Sequence, residues 1–230
     1  TRRHDTPRNS CLWHVFCHNT YTIFIKKMTE PTRLIYDDFL KPEYFNILEN
    51  LLWHPNIPWQ WQRGLAYGDD MAMGEYDWRM AIKLHDAYDG WYDLDGRIVR
   101  DQNNNNLVDM VKLPLANIPN WEHMLRCKIN FDHKMYDNNK PIHCETGWHT
   151  DVRVANKGIY TAILYMDNNN GYTEFKDGAR CESRANRMLI FDAKELHQGV
   201  TQTNTEFRKT INYVFTAHLL PKGGTNVSSN

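Results

Sequence analysis

Apolar and polar positions along this chain change character near residue 125. Before it, helical and extended patterns are mixed; after it, short alternating stretches dominate. Leu34-Ile35-Tyr36 leads through Asp37-Asp38-Phe39-Leu40 to Lys41-Pro42-Glu43. Proline suits a first helical turn and the glutamate suits its dipole. Phe45, Leu48, Leu51 and Leu52 then share one face, which predicts an amphipathic helix over 42–53, ended by His54-Pro55. Trp59 to Gln62 and Trp78 to Leu84 alternate as half-buried strands do, with Gly64, Gly68 and Asp69-Asp70 as turns between them. Residues 86–106 are polar and turn-rich and read as a surface excursion. Leu107 to Val111 reads as a short helix stopped before Pro114.

From Leu125 the alternation is sustained. Leu125, Cys127, Ile129 and Phe131 interleave with Arg126, Lys128 and Asn130. Further extended stretches are expected at 147–154, 158–166, 172–175, 179–184, 187–192, 196–201 and 207–217. Asn168-Asn169-Asn170-Gly171 and Lys176-Asp177-Gly178 are strong turn signals. Many short strands at even spacing predict a sandwich or jelly roll: a mainly β chain with N-terminal helices packed on a β core at about 125–217. No repeat and no linker divides it, so 28–220 reads as a single domain. Residues 1–27 show neither period, and Met28 precedes the first patterned segment, so 1–27 reads as an unstructured or non-native leader. Residues 221–230, with two glycines and two serines, read as a flexible tail.

Composition narrows the class. The net charge is -1, which argues against a nucleic-acid partner, because such domains carry a basic excess that replaces counterions on phosphates. Five cysteines at irregular spacing suit a reduced, cytoplasmic protein, not a disulfide framework. Cys11, His14, Cys17 and His18 lack the paired spacing of a zinc cluster. No apolar run approaches the roughly 20 residues that span a bilayer, so no membrane association is expected.

The candidate chemistry lies in His149-Thr150-Asp151, His197 and Arg208. A lone His-x-Asp carries little weight, since with eleven histidines chance supplies about one. On a strand, however, residues i and i+2 share a face, so His149 and Asp151 reach one metal while Thr150 faces away. A third ligand, His197, comes from a later strand. Two imidazoles and one carboxylate leave the remaining positions of an iron(II) ion open. The plain alternative has both histidines as ordinary polar residues at strand ends. Arg208, Thr210 and Asn212 share one face of the last strand, and a guanidinium fixed there suits bidentate binding of a carboxylate. Taken alone, Arg208 reads more simply as half of a structural salt bridge.

The run from Arg126 to Phe215 resembles the 2-oxoglutarate- and iron(II)-dependent dioxygenases, in particular their prolyl-4-hydroxylase-like branch and related marine-phage proteins. The resemblance rests on Arg126 to Asn130, Gly147-Trp-His-Thr-Asp151, Thr161 to Tyr165, Asn169 to Gly178, Asn186 to Asp192, His197-Gln-Gly199 and Arg208 to Asn212, in that order. It implies a double-stranded β-helix, a cupin-like jelly roll with the metal inside one mouth. It implies His149, Asp151 and His197 as iron ligands and Arg208 as the clamp on the distal carboxylate of 2-oxoglutarate. Tyr165 is implied as a hydroxyl on that same carboxylate, and Thr210 as a weaker contact. Asn130 matches a position that lines the cosubstrate pocket, although the longer 131–146 segment leaves its register open. Trp148 and that segment flank the site and are candidates for its entrance.

The implied activity is hydroxylation with dioxygen and 2-oxoglutarate, giving succinate and carbon dioxide, and Asp151 favours hydroxylation over halogenation. A protein or peptide is the favoured substrate class, and the sequence leaves oligomeric state open. Two rivals stand beside this reading. AlkB-type nucleic-acid demethylases carry a second arginine six residues after the clamp, where this chain has Val214. A catalytically silent jelly-roll binding module has no reason to hold the triad and the clamp together.

Overall fold

The computed structural model describes residues 33–55, 57, 59–63, 78–86, 105–152, 158–218 and 225–226. The leader, its Cys/His group and most of the 86–106 excursion lie outside these residues.

The elements follow the patterns. Strand β1 (Arg33–Tyr36) is followed by helix α1 (Pro42–Leu52), with Pro42 in its first turn and Phe45, Leu48 and Leu52 buried. Each such side chain removed from water contributes roughly 1.5–3 kcal/mol. Strands β2 (Gln60–Arg63) and β3 (Trp78–Asp86) precede helix α2 (Asn105–Lys112). Helix α2 ends at Lys112, before Pro114 as expected, and a 3-10 turn over Leu113–Asn117 follows with Pro114 in its first turn. Then come β4 (Trp121–His133), β5 (Met135–Asp137), β6 (Lys140–Ile142), β7 (Ile159–Tyr165), β8 (Tyr172–Phe175) and β9 (Arg180–Glu182). The chain closes with β10 (Arg187–Asp192), β11 (His197–Val200), β12 (Phe207–Ala217) and β13 (Thr225–Asn226).

The fold is mostly antiparallel sheet. One sheet runs β13-β1-β10-β7-β12-β4-β3-β2, and a second runs β11-β8-β9. Thr225 and Asn226 pair with β1, so this part of the expected tail is a strand. The expected strand over 147–154 is also different. The chain bends at Asp151, and before that it pairs with β11 through bridges at Glu145–Val200 and His149–His197. Gly147, at φ 83, interrupts the regular pleat. Residues 144–149 thereby act as a fourth, irregular strand of the smaller sheet.

Strand β7 is buried along its whole length because both its faces are covered. Tyr160, Ala162 and Leu164 pack with Leu48, Leu52 and Val111 in the layer beneath the helices. Ile163 and Tyr165 face the other way, with Phe175, Cys181, Leu189 and Phe191, in the layer between the sheets. That sandwich is the arrangement of a jelly roll. Asn186, held at φ 61, fastens the helical layer on. Its side-chain amide exchanges two hydrogen bonds with the Leu40 backbone, at 2.9 and 2.8 Å. Among the described residues no helix is long and apolar enough to cross a membrane.

Candidate metal and carboxylate site

The backbone brings His149 and His197 side by side. His149 N–H donates to the His197 carbonyl at 2.9 Å and His197 N–H returns the bond at 3.0 Å. Such a pair puts both side chains on one face of the ladder. Their rings stand 4.4 Å apart, centroid to centroid. Asp151 reaches the same point from the bend, held by its N–H to the Ala193 carbonyl at 2.9 Å. One ligand atom from each of His149, Asp151 and His197 lies within 4.8 Å of the others. The i, i+2 geometry expected of a strand is therefore replaced by a bridge and a bend that reach the same convergence.

Hydrogen bonds set the tautomer of the imidazoles. His149 Nδ1 lies 2.9 Å from the Gly147 carbonyl, and His197 Nδ1 lies 2.9 Å from the Glu195 carbonyl. A carbonyl only accepts, so each Nδ1 carries a proton, and the neutral ring then has its lone pair on Nε2. Asp151 is fastened on both oxygens. Oδ1 pairs with the Arg126 guanidinium, and Oδ2 accepts from Thr161 Oγ1 at 2.6 Å. Burial alone would raise this carboxyl. The Arg126 guanidinium and the Thr161 hydroxyl favour the carboxylate, and Asp151 is held below the usual carboxylate range.

Behind the triad, a cavity opens between the sheets. Asn130, Arg208, Thr210 and Asn212 line it from β4 and β12, and His149 and His197 line it as well. Arg208 is buried at this wall. Its Nε donates to Ser183 Oγ at 2.8 Å, and its Nη1 lies 3.1 Å from Asp132 Oδ2. The simple expectation of a structural salt bridge is thus met in part. Nη2 has no partner among the described residues. Thr210 accepts from the Asn130 amide at 3.3 Å. Tyr165 is fully buried, and its hydroxyl donates to Thr173 Oγ1 at 2.7 Å. Thr173 lines the cavity, so Tyr165 stands behind it. Trp148 lies beside the site with the Lys176 ammonium 3.8 Å over its ring. The 131–146 segment holds the end of β4 and the β5–β6 hairpin.

The Asn-Asn-Gly turn has a steric reason. A Cβ on Gly171 would meet Arg208 Cδ at 2.8 Å and the Val200 carbonyl at 2.9 Å. Gly171→Ala is expected to push the arginine stem aside, costing about 1–3 kcal/mol of stability by overpacking. A thermal melt of this variant checks that, and an unchanged midpoint would show that the wall yields.

Sequence reasoning missed Arg126 as a partner of Asp151, and it missed Asp132, Ser183, Thr161 and Arg33. Arg33, on β1, bonds Glu195 and Asp177 and lies 4.0 Å over the Phe175 ring. It therefore ties down the turn whose carbonyl orients His197. Arg33→Ala is expected to weaken metal binding about tenfold, the lower range for losing an outer support of a ligand. Calorimetric titration with Mn(II) measures it, and an unchanged affinity would leave Arg33 a strand anchor alone.

The donor set suits iron(II): two imidazoles and one carboxylate on one side of an ion. The cavity suits a keto diacid, with Arg208 for a carboxylate and two amides near it. Asn130 Oδ1 and Asn212 Oδ1 are buried without a partner among the described residues. Turned over, each amide offers N–H groups to an acceptor-only ligand, and Asn130 Oδ1 then faces the Thr210 hydroxyl.

No family model matches the sequence, and no curated protein does. Solved structures do match. A 2OG-Fe(II) oxygenase family oxidoreductase from Burkholderia pseudomallei aligns with TM-score 0.54 at 10% identity, over 87% of this chain and 92% of that one. A prolyl hydroxylase from Trichoplax adhaerens, in complex with a hypoxia inducible factor oxygen degradation domain peptide fragment, aligns with TM-score 0.51 at 10% identity. That match covers 84% of this chain and 86% of the other. At such identity the likeness is one of fold: this chain has the jelly-roll architecture of those oxygenases.

Proposed function

We propose that this chain is a non-haem iron(II) dioxygenase that hydroxylates its substrate with dioxygen and 2-oxoglutarate, releasing succinate and carbon dioxide. One observation carries the reading: the convergence of His149, Asp151 and His197 beside a cavity whose wall holds Arg208. Bound iron and keto acid supply the oxidising chemistry, and the protein supplies ligands, orientation and enclosure. His149 and His197 offer Nε2 lone pairs because their Nδ1 protons are already engaged. Arg126 and Thr161 keep Asp151 ionised and fixed. Arg208 takes the distal carboxylate of 2-oxoglutarate, with Thr210 beside it and Tyr165 acting through Thr173.

The test is an anaerobic titration of the iron(II)-loaded protein with 2-oxoglutarate, followed by the weak visible charge-transfer band of the chelate. A band that saturates supports the reading, and no band ends it in favour of a silent binding module. For the primary substrate we infer a peptidyl residue, supported by the peptide held by the Trichoplax protein of the same fold. Succinate release that rises with added peptides supports this class, and release indifferent to every peptide removes it.

A further inference from the structure

Arg208 reaches the cavity with a counter-ion already beside it. Asp132 is its direct partner in the β4–β12 ladder, so backbone register holds the pair. Both side chains are nearly enclosed, at 5% and 3% exposure, and Asp132 Oδ2 lies 3.1 Å from Nη1. With Ser183 on Nε, two edges of the guanidinium are fixed from behind, while Nη2 has no partner among the described residues.

A carboxylate placed this way has two opposed effects. It fixes the plane of the guanidinium, which prepares the fork for a second carboxylate. It also cancels the charge that would attract one. When a ligand carboxylate joins, two anions share one cation away from bulk water. Their repulsion across a few ångströms is enough to change an equilibrium roughly 10- to 100-fold.

We propose that Asp132 is a positioning residue that also sets affinity: it orients Arg208 while holding down the affinity for every ligand that places a carboxylate on that guanidinium. The proposal rests on Arg208 being the distal-carboxylate clamp. A keto diacid gains a second anchor by chelation at the triad and still binds. A simple dicarboxylate lacks the keto chelate and binds poorly. Succinate, which keeps the distal carboxylate but has lost the keto group, therefore leaves readily. Asp132 thus weakens both diacids alike, and the keto chelate keeps the cosubstrate bound at a clamp weak enough to release the product.

The experiment titrates 2-oxoglutarate, 2-oxobutanoate and succinate into the Mn(II)-loaded protein, wild type and Asp132→Asn, by calorimetry. The amide still accepts from Nη1, so geometry is kept while charge is lost. The expected result is about tenfold tighter binding of 2-oxoglutarate and of succinate by Asp132→Asn, with 2-oxobutanoate and Mn(II) itself unchanged. Unchanged or weaker binding of the two diacids overturns the proposal, provided that the wild type prefers 2-oxoglutarate to 2-oxobutanoate. A wild type without that preference fails earlier, at the assignment of Arg208, and takes the proposal with it. If Asp132→Asn melts below the assay temperature, Asp132→Glu replaces it. That variant keeps the charge but shifts the guanidinium, so 2-oxoglutarate binding should weaken while 2-oxobutanoate is unaffected. Unaltered 2-oxoglutarate binding in Asp132→Glu overturns the proposal.

Discussion

Replacing His197 with alanine is expected to abolish the charge-transfer band and to weaken divalent-metal binding by more than about 100-fold. Losing only an outer partner of a ligand already costs 10- to 100-fold, and this change removes the ligand itself. The ring is also part of the packing between the sheets, 4.7 Å from Phe191 in an edge contact. Its removal should cost a further 2–3 kcal/mol or so, as for other truncations that leave a buried cavity. His197→Gln fills more of that space and keeps a polar tip, so it separates the two effects. Weak metal binding in His197→Gln, with a melting midpoint near wild type, assigns the loss to coordination. Wild-type metal affinity in both variants would remove His197 from the triad.

The second large effect belongs to Arg208→Ala. Truncating one partner of a buried charge pair costs about 2–5 kcal/mol, and here it acts twice. Binding of 2-oxoglutarate should fall by that amount, while binding of 2-oxobutanoate, which lacks the distal carboxylate, should stay as it was. Folding should also suffer by about 3–5 kcal/mol, because the buried Asp132 carboxylate loses its guanidinium partner. Against a total stability of 5–15 kcal/mol such a loss can leave much of the chain unfolded. The double variant Arg208→Ala/Asp132→Asn removes that buried charge. It should recover stability without recovering cosubstrate binding, and a double-mutant cycle on both quantities resolves the two roles. Unchanged 2-oxoglutarate affinity in the double variant would make Arg208 a structural arginine.

Much of the β core was legible because its strands are short and bounded by turn residues. The expected 172–175 and 187–192 coincide with β8 and β10, and 207–217 coincides with β12. The shared face of Arg208, Thr210 and Asn212 was readable from a period of two, and all three line the cavity. What was not readable depends on register between distant strands. Asp132 is the sixth residue beyond Arg126 on an alternating strand, but nothing local says that it lies opposite Arg208. The β5–β6 hairpin was missed for another reason. Asn138 and Asn139, at φ 47 and 61, form the kind of left-handed turn that asparagines favour, yet the strands on either side are only three residues long, too short to show a strand period. The triad was legible as residue types but not as geometry, because a bend at Asp151 does what a straight strand was expected to do.

The Arg33 tie has a consequence for how the site comes into being. Arg33 and Glu195 are 162 residues apart. Chains dominated by such distant pairings fold slowly, since the entropy of closing the loop is lost before any contact rewards it. During synthesis β1 emerges first and has to wait for β10, its ladder partner, and for the turn that carries His197. His149 and Asp151 likewise emerge before the residues that complete their grouping. Metal competence is therefore a late event on the folding path, and a tightly held ion would report a chain whose two ends have already met.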